Sequence, residues 1–495
     1  MAMPLKKSWL CTVLLMHQMA CFALDIGIDT SQYIHQARDE FLSIDLDCSL
    51  IAHKWETFHP LNPAVVNMAK SLSPAILRLG GTSCDWVIFN ETRRINNLLT
   101  PTNPDLDYNE TSILKITDWD NLMNLTHQAN LSLLFDANVM LRNKSSARWD
   151  PTNFHHFLVY NDKKGYSNMM FELGNEPNNY PAHFNRTITG AQLAQDYATL
   201  NRVVRRFPRY KHTLIVGADV GNPYLHHGLQ LDPATYIYDF FKAGHNLINA
   251  LTWHQYYFAG ATAKVDDFLN ATIMDTFPQQ VQIVKRIIKR VLGKGKSFPV
   301  WMGETSSAYN SGAPKLSDRY VAGFLWMDKL GVAAKSGYDV VIRQTFYGGY
   351  YSLLNKNLKP HPDFWLSLLF KRLVGTRSLA LTINSTITSV RAYASCSKVG
   401  SGATKGDVTI YAMNLDRNSS VVLTPQLPFT SIHAYNMEPS DSTLSSRYVS
   451  INGKTARLVG NTVPSIPPKV ASSISLKPLT FGLFVLVGAN ATACM

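Results

Sequence analysis

Residues 169–180 read MMFELGNEPNNY, a short apolar run that stops at Gly174 and delivers Asn175, Glu176 and Pro177. Seven further apolar, β-branched runs flank it: FLSIDLD (41–47), AILRLGG (75–81) and LSLLFDA (131–137) before, TLIVGAD (213–219), ALTWHQYY (250–257), FPVWMGE (298–304) and DVVIRQT (339–345) after. Between them lie amphipathic stretches, clearest in TGAQLAQDYATLNRVVRRF (189–207) and QQVQIVKRIIKRVLG (279–293), with apolar residues at i, i+3 and i+4 and cations on the other face. Eight buried strands alternating with helices predict an α/β fold, a (β/α)8 TIM barrel over residues 41–379. The rival, a doubly wound sheet, is disfavoured because no run is followed by the glycine-rich phosphate turn of a dinucleotide site.

Beyond residue 380 the pattern changes to short alternating strands such as DVTIYAMNL, SIHAYNM and LTFGLFVLVG, separated by Gly, Ser, Pro and Asn. This predicts a C-terminal antiparallel β-sandwich over 380–495, with LDIGID, inside residues 24–40, joining it as an N-terminal strand.

The chain has 495 residues, 46% hydrophobic and 17% charged, enough for a large domain plus a smaller one. Its net charge of +12 points to an anionic partner and does not choose among nucleic acid, anionic lipid and acidic polysaccharide. Residues 1–23 have Lys6 and Lys7, an apolar run from Trp9 to Phe22 and small Ala23 as a cleavage point, which reads as a secretory signal peptide; the run is too short and too interrupted for a membrane span. Secretion gives meaning to sequons at Asn90, Asn109, Asn124, Asn130, Asn143, Asn185, Asn270, Asn384, Asn418 and Asn490, of which Asn130 looks too buried for a glycan. In an oxidising compartment Cys396 and Cys494 are expected to pair, while Cys48 and Cys84 either pair or stay as buried thiols. No cysteine or histidine spacing resembles a zinc site, and no metal or organic cofactor is expected.

Counting strands puts Glu176 just past the end of the fourth and Glu304 at the end of the seventh, the face where such barrels keep their active sites. Two carboxyls facing each other across the mouth suit retaining glycoside hydrolysis, in which one is protonated to serve the leaving oxygen and the other ionised to attack the anomeric carbon. Pro177 is expected to hold Glu176 in extended backbone, aiming its carboxyl into the mouth, and Asn175 to reach a sugar hydroxyl. Either glutamate alone reads better as an ordinary loop carboxylate or helix N-cap neighbour. Together they mark an active site.

FELGNEPN, ALTWHQYY, VWMGETSSAYNSGAP, SDRYVAGFLWMDKLG, VVIRQTFYGGYYSLL and PDFWLSLLFKRLVGT occur in that order. With them the chain, from the first barrel run to the terminal TACM, resembles the heparanase family of secreted endo-β-glucuronidases, leech-type hyaluronidases included. The resemblance implies Glu176 as proton donor and Glu304 as nucleophile. It implies Asn175, Tyr256 and Gln344 around a bound glucuronate, Asp47 and Thr82 as contacts from the first two strand ends, and His254 close to the nucleophile. It also places Tyr309 to Gly312 where backbone amides hold the uronate carboxylate, with Tyr351 nearby. Core packing under the mouth is the plainer reading for the aromatics and His254.

Vertebrate heparanases carry basic clusters after the fifth and sixth strands that meet sulfate; the corresponding segments here read VGNPYLHHGLQ and YYFAGATAK. Having lost those guanidinium forks, the chain is expected to prefer unsulfated hyaluronan over heparan sulfate. The region between Phe89 and Asp118 is shorter than the linker excised from the heparanase precursor, so a single-chain monomer needing no excision is expected. The implied product is a secreted or lysosomal endo-β-glucuronidase, peripheral to the extracellular matrix, whose partner is anionic polysaccharide and not nucleic acid. The alternative is a non-catalytic glycosaminoglycan-binding relative, which would have no reason to keep both glutamates.

Overall fold

A computed structural model describes residues 21–55, 58–90, 112–143, 145–223, 228–385, 387–400 and 402–495. Most of the proposed signal segment, the Asn109 sequon and most of the shortened linker region lie outside these residues.

Each predicted barrel run forms a strand: β1 (Leu42–Asp47), β2 (Ala75–Gly80), β3 (Leu131–Ala137), β4 (Met169–Leu173), β5 (Val216–Val220), β6 (Ala250–Gln255), β7 (Val300–Thr305) and β8 (Val340–Arg343). They are parallel and adjacent in chain order, β8 returns to pair with β1 through Val341 opposite Leu42, and a Phe171–Ile215 bridge links β4 towards β5. This is the eight-stranded barrel, with helices outside and buried side chains filling both faces of the strands. The two predicted helices are present as Gly190–Val204 and Thr276–Leu292. The first opens with a capping box, Thr189 Oγ1 accepting from Gln192 N at 3.2 Å and Gln192 Oε1 accepting from Thr189 N at 2.8 Å.

The helix Ala322–Lys335 is buried on almost every side because it lies between the barrel and the sandwich. Gly323 and Gly331 make that approach possible: a Cβ there would sit 2.4 Å from the Phe481 ring and 2.2 Å from the Tyr393 ring. Between them Asp328 accepts from Arg391 Nε at 2.5 Å and from the Tyr393 hydroxyl, so the seam is hydrogen-bonded as well as packed.

The sandwich differs from expectation in two respects. It begins at Val374, not 380, since Val374–Leu379 pairs antiparallel with Val390–Ser397 in its larger sheet. The N-terminal strand, Cys21–Ile28, lies antiparallel to Leu381–Ile383 but parallel to Ser420–Pro425. A parallel pair needs a long crossover, and the whole barrel supplies it. A cut after Ala23 would fall within this strand; Cys21, Phe22 and Ala23 are exposed, and burial starts at Leu24.

Cys396 and Cys494 are disulfide-bonded, and the choice left open for Cys48 and Cys84 resolves as a second disulfide, Cα–Cα 5.1 Å, between the end of β1 and the short helix after β2. All nine described sequon asparagines are exposed, Asn130 included: it ends the helix Ile116–Ala129 in the left-handed region, which turns its side chain to the surface. No helix among the described residues is long and apolar enough to cross a membrane. The Cys396–Cys494 bond closes a 98-residue separation and ties the chain's end to the sandwich. Replacing both with serine is expected to cost about 2–5 kcal/mol, read as a lower calorimetric unfolding midpoint under non-reducing conditions; an unchanged midpoint would show that the sandwich holds without it.

Candidate active site

β4 ends at Leu173, and the loop after it is fixed from below. Asp85, fully buried, accepts from the backbone N of Asn175 at 3.2 Å, the backbone N of Val139 at 3.3 Å and the Tyr180 hydroxyl at 2.8 Å. Gly174 adopts φ +80°, and a Cβ there would meet Tyr180 Oη at 2.5 Å, so the turn has no room for another residue. Glu176 is not extended, as Pro177 led us to expect, but left-handed at φ 47°, ψ 56°. Its N donates to Asp219 O at 2.9 Å and its O accepts from Asn179 N at 2.8 Å. Those two backbone bonds outweigh the local preference, and the pre-proline restriction acts chiefly against the right-handed region.

Glu304 stands near the end of β7, three strands round the barrel from Glu176. One carboxylate oxygen from each, together with a ring nitrogen of His254, lie within 4.8 Å of one another. His254 Nδ1 is 2.9 Å from Glu176 Oε1 and 3.9 Å from Glu304 Oε2; its Nε2 is 2.9 Å from Asp219 Oδ1. Tyr256 Oη donates to Glu304 Oε1 at 2.6 Å, and Asn179 Nδ2 donates to Glu176 Oε2 at 2.7 Å. The side chains of Glu176 and Glu304 remain 19% and 10% exposed, so a substrate can reach both, while His254 is sealed beneath them.

Under this pair lies a residue that sequence reasoning did not select. Arg78, in the middle of β2 and wholly buried, donates from Nε to Glu172 at 2.6 Å, from one terminal nitrogen to Asp45 at 2.7 Å and Glu304 at 2.9 Å, and from the other to Asp219 at 2.5 Å and Asn175 Oδ1 at 2.9 Å. Asp136 adds a fourth buried carboxyl below the mouth, 3.9 Å away. The signal was legible: AILRLGG, LSIDLD, LLFDA, MMFEL and IVGAD set Arg78, Asp45, Asp136, Glu172 and Asp219 in runs otherwise fit for a core, and such groups are buried only when paired.

Burial pushes Asp45 and Asp136 well above the usual carboxylate range and Glu172 up to about 8, against the pull of Arg78. Asp219 is pushed up by burial too, but the charges of Arg78 and His254 overcome this and hold it low. Burial and the like charge of Glu176 raise Glu304 against the pull of His254 and Arg78. For Glu176, burial is outweighed by the hydrogen bond and charge of His254, and its carboxyl is held below the ordinary value. This reverses the expectation that its surroundings keep Glu176 protonated. The proton instead rests on His254, whose imidazole is driven well above its usual value by Asp219, Glu304 and Glu176 against the cost of burial. The three groups titrate as one cluster.

The remaining predicted residues form the opposite wall. Gln344 Nε2, just past β8, donates to Asp47 Oδ2 at 3.0 Å and reaches Tyr351 Oη at 3.4 Å. Thr82 Oγ1 accepts from Asn175 Nδ2 at 3.4 Å, and the Tyr256 and Tyr351 rings stack at 6.3 Å. Tyr309 and Gly312 stand apart from the glutamates, on a loop pinned to the same wall: Tyr350 N donates to Ser311 O at 2.7 Å, and a Cβ on Gly312 would lie 2.7 Å from Tyr351 N. Two donor groups, Glu176–His254–Glu304 and Asp136–Glu172–Asp219, are compact enough to share a cation. Arg78 already places a guanidinium against members of both, which opposes a second positive charge there.

The family model for the glycosyl hydrolase family 79 N-terminal domain matches residues 40–331, which contain both glutamates. The chain belongs to glycosyl hydrolase family 79. It is 34% identical to a hyaluronoglucuronidase of Hirudo nipponia, covering 95% of this chain and 99% of that one, and 33% identical to heparanase of Mus musculus, covering 95% and 94%. Its fold matches the crystal structure of a 4-O-α-L-rhamnosyl-β-D-glucuronidase from Fusarium oxysporum with a TM-score of 0.64 at 14% identity, over 94% of this chain and all of that one. This family 79 protein is a glycoside hydrolase built on a (β/α)8 barrel.

Two outcomes follow from the electrostatics. Arg78→Met leaves buried carboxylates without their cation and is expected to cost about 3–5 kcal/mol in chemical denaturation, with loss of activity in whatever protein still folds; wild-type turnover would remove Arg78 from the site. Because the native pKa of His254 is raised, its protonated form stabilises the fold in full below the unfolded value of about 6.5, and the contribution is lost as pH rises through the native value. His254→Gln is therefore expected to flatten the alkaline fall in Tm, and an unaltered fall would mean that His254 does not carry the proton.

Proposed function

We propose that the protein is a secreted, retaining endo-β-glucuronidase that cuts glucuronidic bonds in a glycosaminoglycan, with hyaluronan preferred over heparan sulfate. The observation that carries this reading is the approach of Glu176 and Glu304 to within 4.8 Å at the barrel mouth, the short separation that retention requires. Inversion would need room for a water between them.

In this mechanism Glu304, oriented by Tyr256 and Arg78, attacks the anomeric carbon of an internal glucuronate. Glu176 protonates the departing amino-sugar oxygen. Its proton comes from His254 Nδ1, 2.9 Å away, so the carboxylate is ionised at rest and becomes the neutral acid, leaving a neutral imidazole, when the leaving oxygen arrives. Water then enters on the same face, deprotonated by Glu176, and the bond to Glu304 breaks. Asp47, Gln344, Tyr351 and the Tyr309–Gly312 loop form the wall that receives the uronate.

Relatives named for either substrate are equally similar, so the preference rests on the charge of the cleft rim. Among the described residues, Val220–Pro223 carries no cation and Tyr257–Lys264 carries one, exposed Lys264. Sulfate recognition favours fixed guanidinium forks, whereas an unsulfated carboxylated chain does not need them. Secretion is supported by two disulfides and by nine sequon asparagines standing at the surface. A single-chain active form, without excision after Phe89, belongs to the same proposal. The non-catalytic alternative would require a broken pair, and here the pair is assembled and buried on its supports.

Size-exclusion profiles of purified protein with hyaluronan and heparan sulfate, with Glu304→Gln as blank, test the proposal. Hyaluronan is expected to shorten with retained anomeric configuration in NMR of early products, and Glu304→Gln to lose at least a thousandfold in turnover while still binding. Shortening of heparan sulfate alone would reverse the preference. No shortening of either would return the protein to the binding class.

A further inference from the structure

We infer that the protein has a second binding surface for an anionic polysaccharide, on the outside of the barrel at the end opposite the catalytic mouth, centred on the helix Thr276–Leu292. This rests on the proposed glycosaminoglycan function for the choice of polymer, but its geometry is independent of the catalytic pair. The helix follows β6 and buries Phe277, Val281, Val284, Ile287 and Ile288. Lys285, Arg286, Lys289 and Arg290 all fall on the opposite face, exposed, and the loop to β7 adds exposed Lys294 and Lys296. No acidic residue occurs from Thr276 to Val300.

Topology extends the patch. Outer helices of the barrel run against the strands, so their C-terminal ends gather at the face where the strands begin. The neighbouring helix Pro233–Gly244 brings exposed Lys242 to that end, and Gly190–Val204 brings exposed Arg202, followed by Arg206. The two nearer helices are joined through Tyr238, whose ring lies 4.3 Å from the Arg290 guanidinium and 5.7 Å from the Lys242 ammonium. Asp239 is the exposed acid on this pair of helices, and among the described residues none of the named cations is in a salt bridge.

The ordinary explanation, cations answering the helix dipole, covers Lys289, Arg290, Lys242 and Arg202. It does not cover Lys285 and Arg286, more than a turn from the helix end, or Lys294 and Lys296 beyond it. Lys285 with Lys289, and Arg286 with Arg290, are like charges four residues apart, a spacing that destabilises a helix. A polyanion laid along the face would relieve that repulsion and release counterions. Among and beside the cations the exposed residues are Gln282, Gly293, Gly295 and Ser297, polar or small, while Val291 and Leu292 are half-buried and packed against the core. A membrane-docking surface would carry large apolar side chains there, and stacking of nucleic-acid bases would need exposed aromatics. A flexible, hydrophilic, evenly charged chain needs neither. Facing away from the mouth, the surface holds one polysaccharide while the cleft cuts another chain or a distant stretch of the same one.

The test is the variant R286Q/K289Q/K294Q/K296Q, chosen at exposed, unpaired positions, beside an all-lysine-to-arginine and arginine-to-lysine exchange at the same four sites that keeps the charge. Both are run on immobilised heparin and immobilised hyaluronan, with Tm as a folding control and hydrolysis of a short soluble oligosaccharide as a catalytic control. The glutamine variant is expected to bind at least tenfold more weakly at 0.1 M salt and to show a shallower salt dependence, while the charge-keeping variant and oligosaccharide hydrolysis stay as in the wild type. Heparin against hyaluronan then separates sulfate from carboxylate as the recognised anion. Unchanged retention of the glutamine variant overturns the surface while leaving the hydrolase reading intact; retention that depends on the four cations without any hydrolysis does the reverse. Preferential binding to anionic phospholipid vesicles, lost in the glutamine variant, would overturn the choice of partner.

Discussion

The guanidinium of Arg78 is the point on which the site turns. Its five N–H groups are directed at acceptors on four strands and at Asn175 in the loop after β4, so one planar group fixes the relative positions of β1, β2, β4, β5 and β7. A buried ion pair of this kind adds little net stability, because desolvation consumes most of the Coulombic gain. What it adds is geometry. An oxygen of Glu304 and the Asn175 side chain beside Glu176 are held by the same group, and neither can move without breaking bonds in a dry interior. Burial and charge pull the carboxyls in opposite directions: Arg78 and His254 hold Asp219 low, while burial prevails at Asp45, Asp136 and Glu172 and raises them.

The strands that carry Glu304 and His254 are irregular, whereas β4, which leads to Glu176, is not. Register shifts fall between Leu251 and Trp253 against β5, between Trp253 and His254 against β7, and between Met302 and Thr305 against β8. Such bulges re-aim side chains near active sites. Here they bring His254 opposite Glu304 and leave Tyr256, two residues on, within 2.6 Å of the same carboxylate. Strands β1 to β4 pair without such shifts, and they supply the rigid side of the cleft.

The fold was legible because each barrel strand is a continuous apolar run, the pattern demanded of a strand covered on both faces. Glu176 and Glu304 were legible because each closes such a run. What the sequence could not display was anything depending on distance between strands. Arg78 is a charge inside the core run AILRLGG, but its partners are spread over residues 45 to 304, and nothing local names them. The ionisation of Glu176 was misjudged for the same reason: its state is set by His254, 78 positions away along the chain, and not by its own neighbours. The backbone of Glu176 was misjudged because a pre-proline preference is small beside two hydrogen bonds to a fixed scaffold. The Cys48–Cys84 bond was undecidable until β1 and β2 were seen to be adjacent.

The distribution of charge follows a consistent logic. The chain's net charge is +12, while the described parts of the segments after the fifth and sixth strands, Val220–Pro223 and Tyr257–Lys264, carry one cation, Lys264. Exposed charges act through a field screened over about 8–10 Å in physiological salt, so those at the far end of the barrel exert no direct force on a sugar bound between Glu176 and Glu304. They raise the local concentration of a polyanion without discriminating the pattern of its substituents. Discrimination is left to the cleft, where Asp47, Gln344 and the stacked Tyr256 and Tyr351 present hydrogen bonds and ring faces instead of guanidinium forks. Under the proposed function and the inferred outer surface, capture falls to the far end of the barrel and recognition to the cleft, two surfaces that act through different forces.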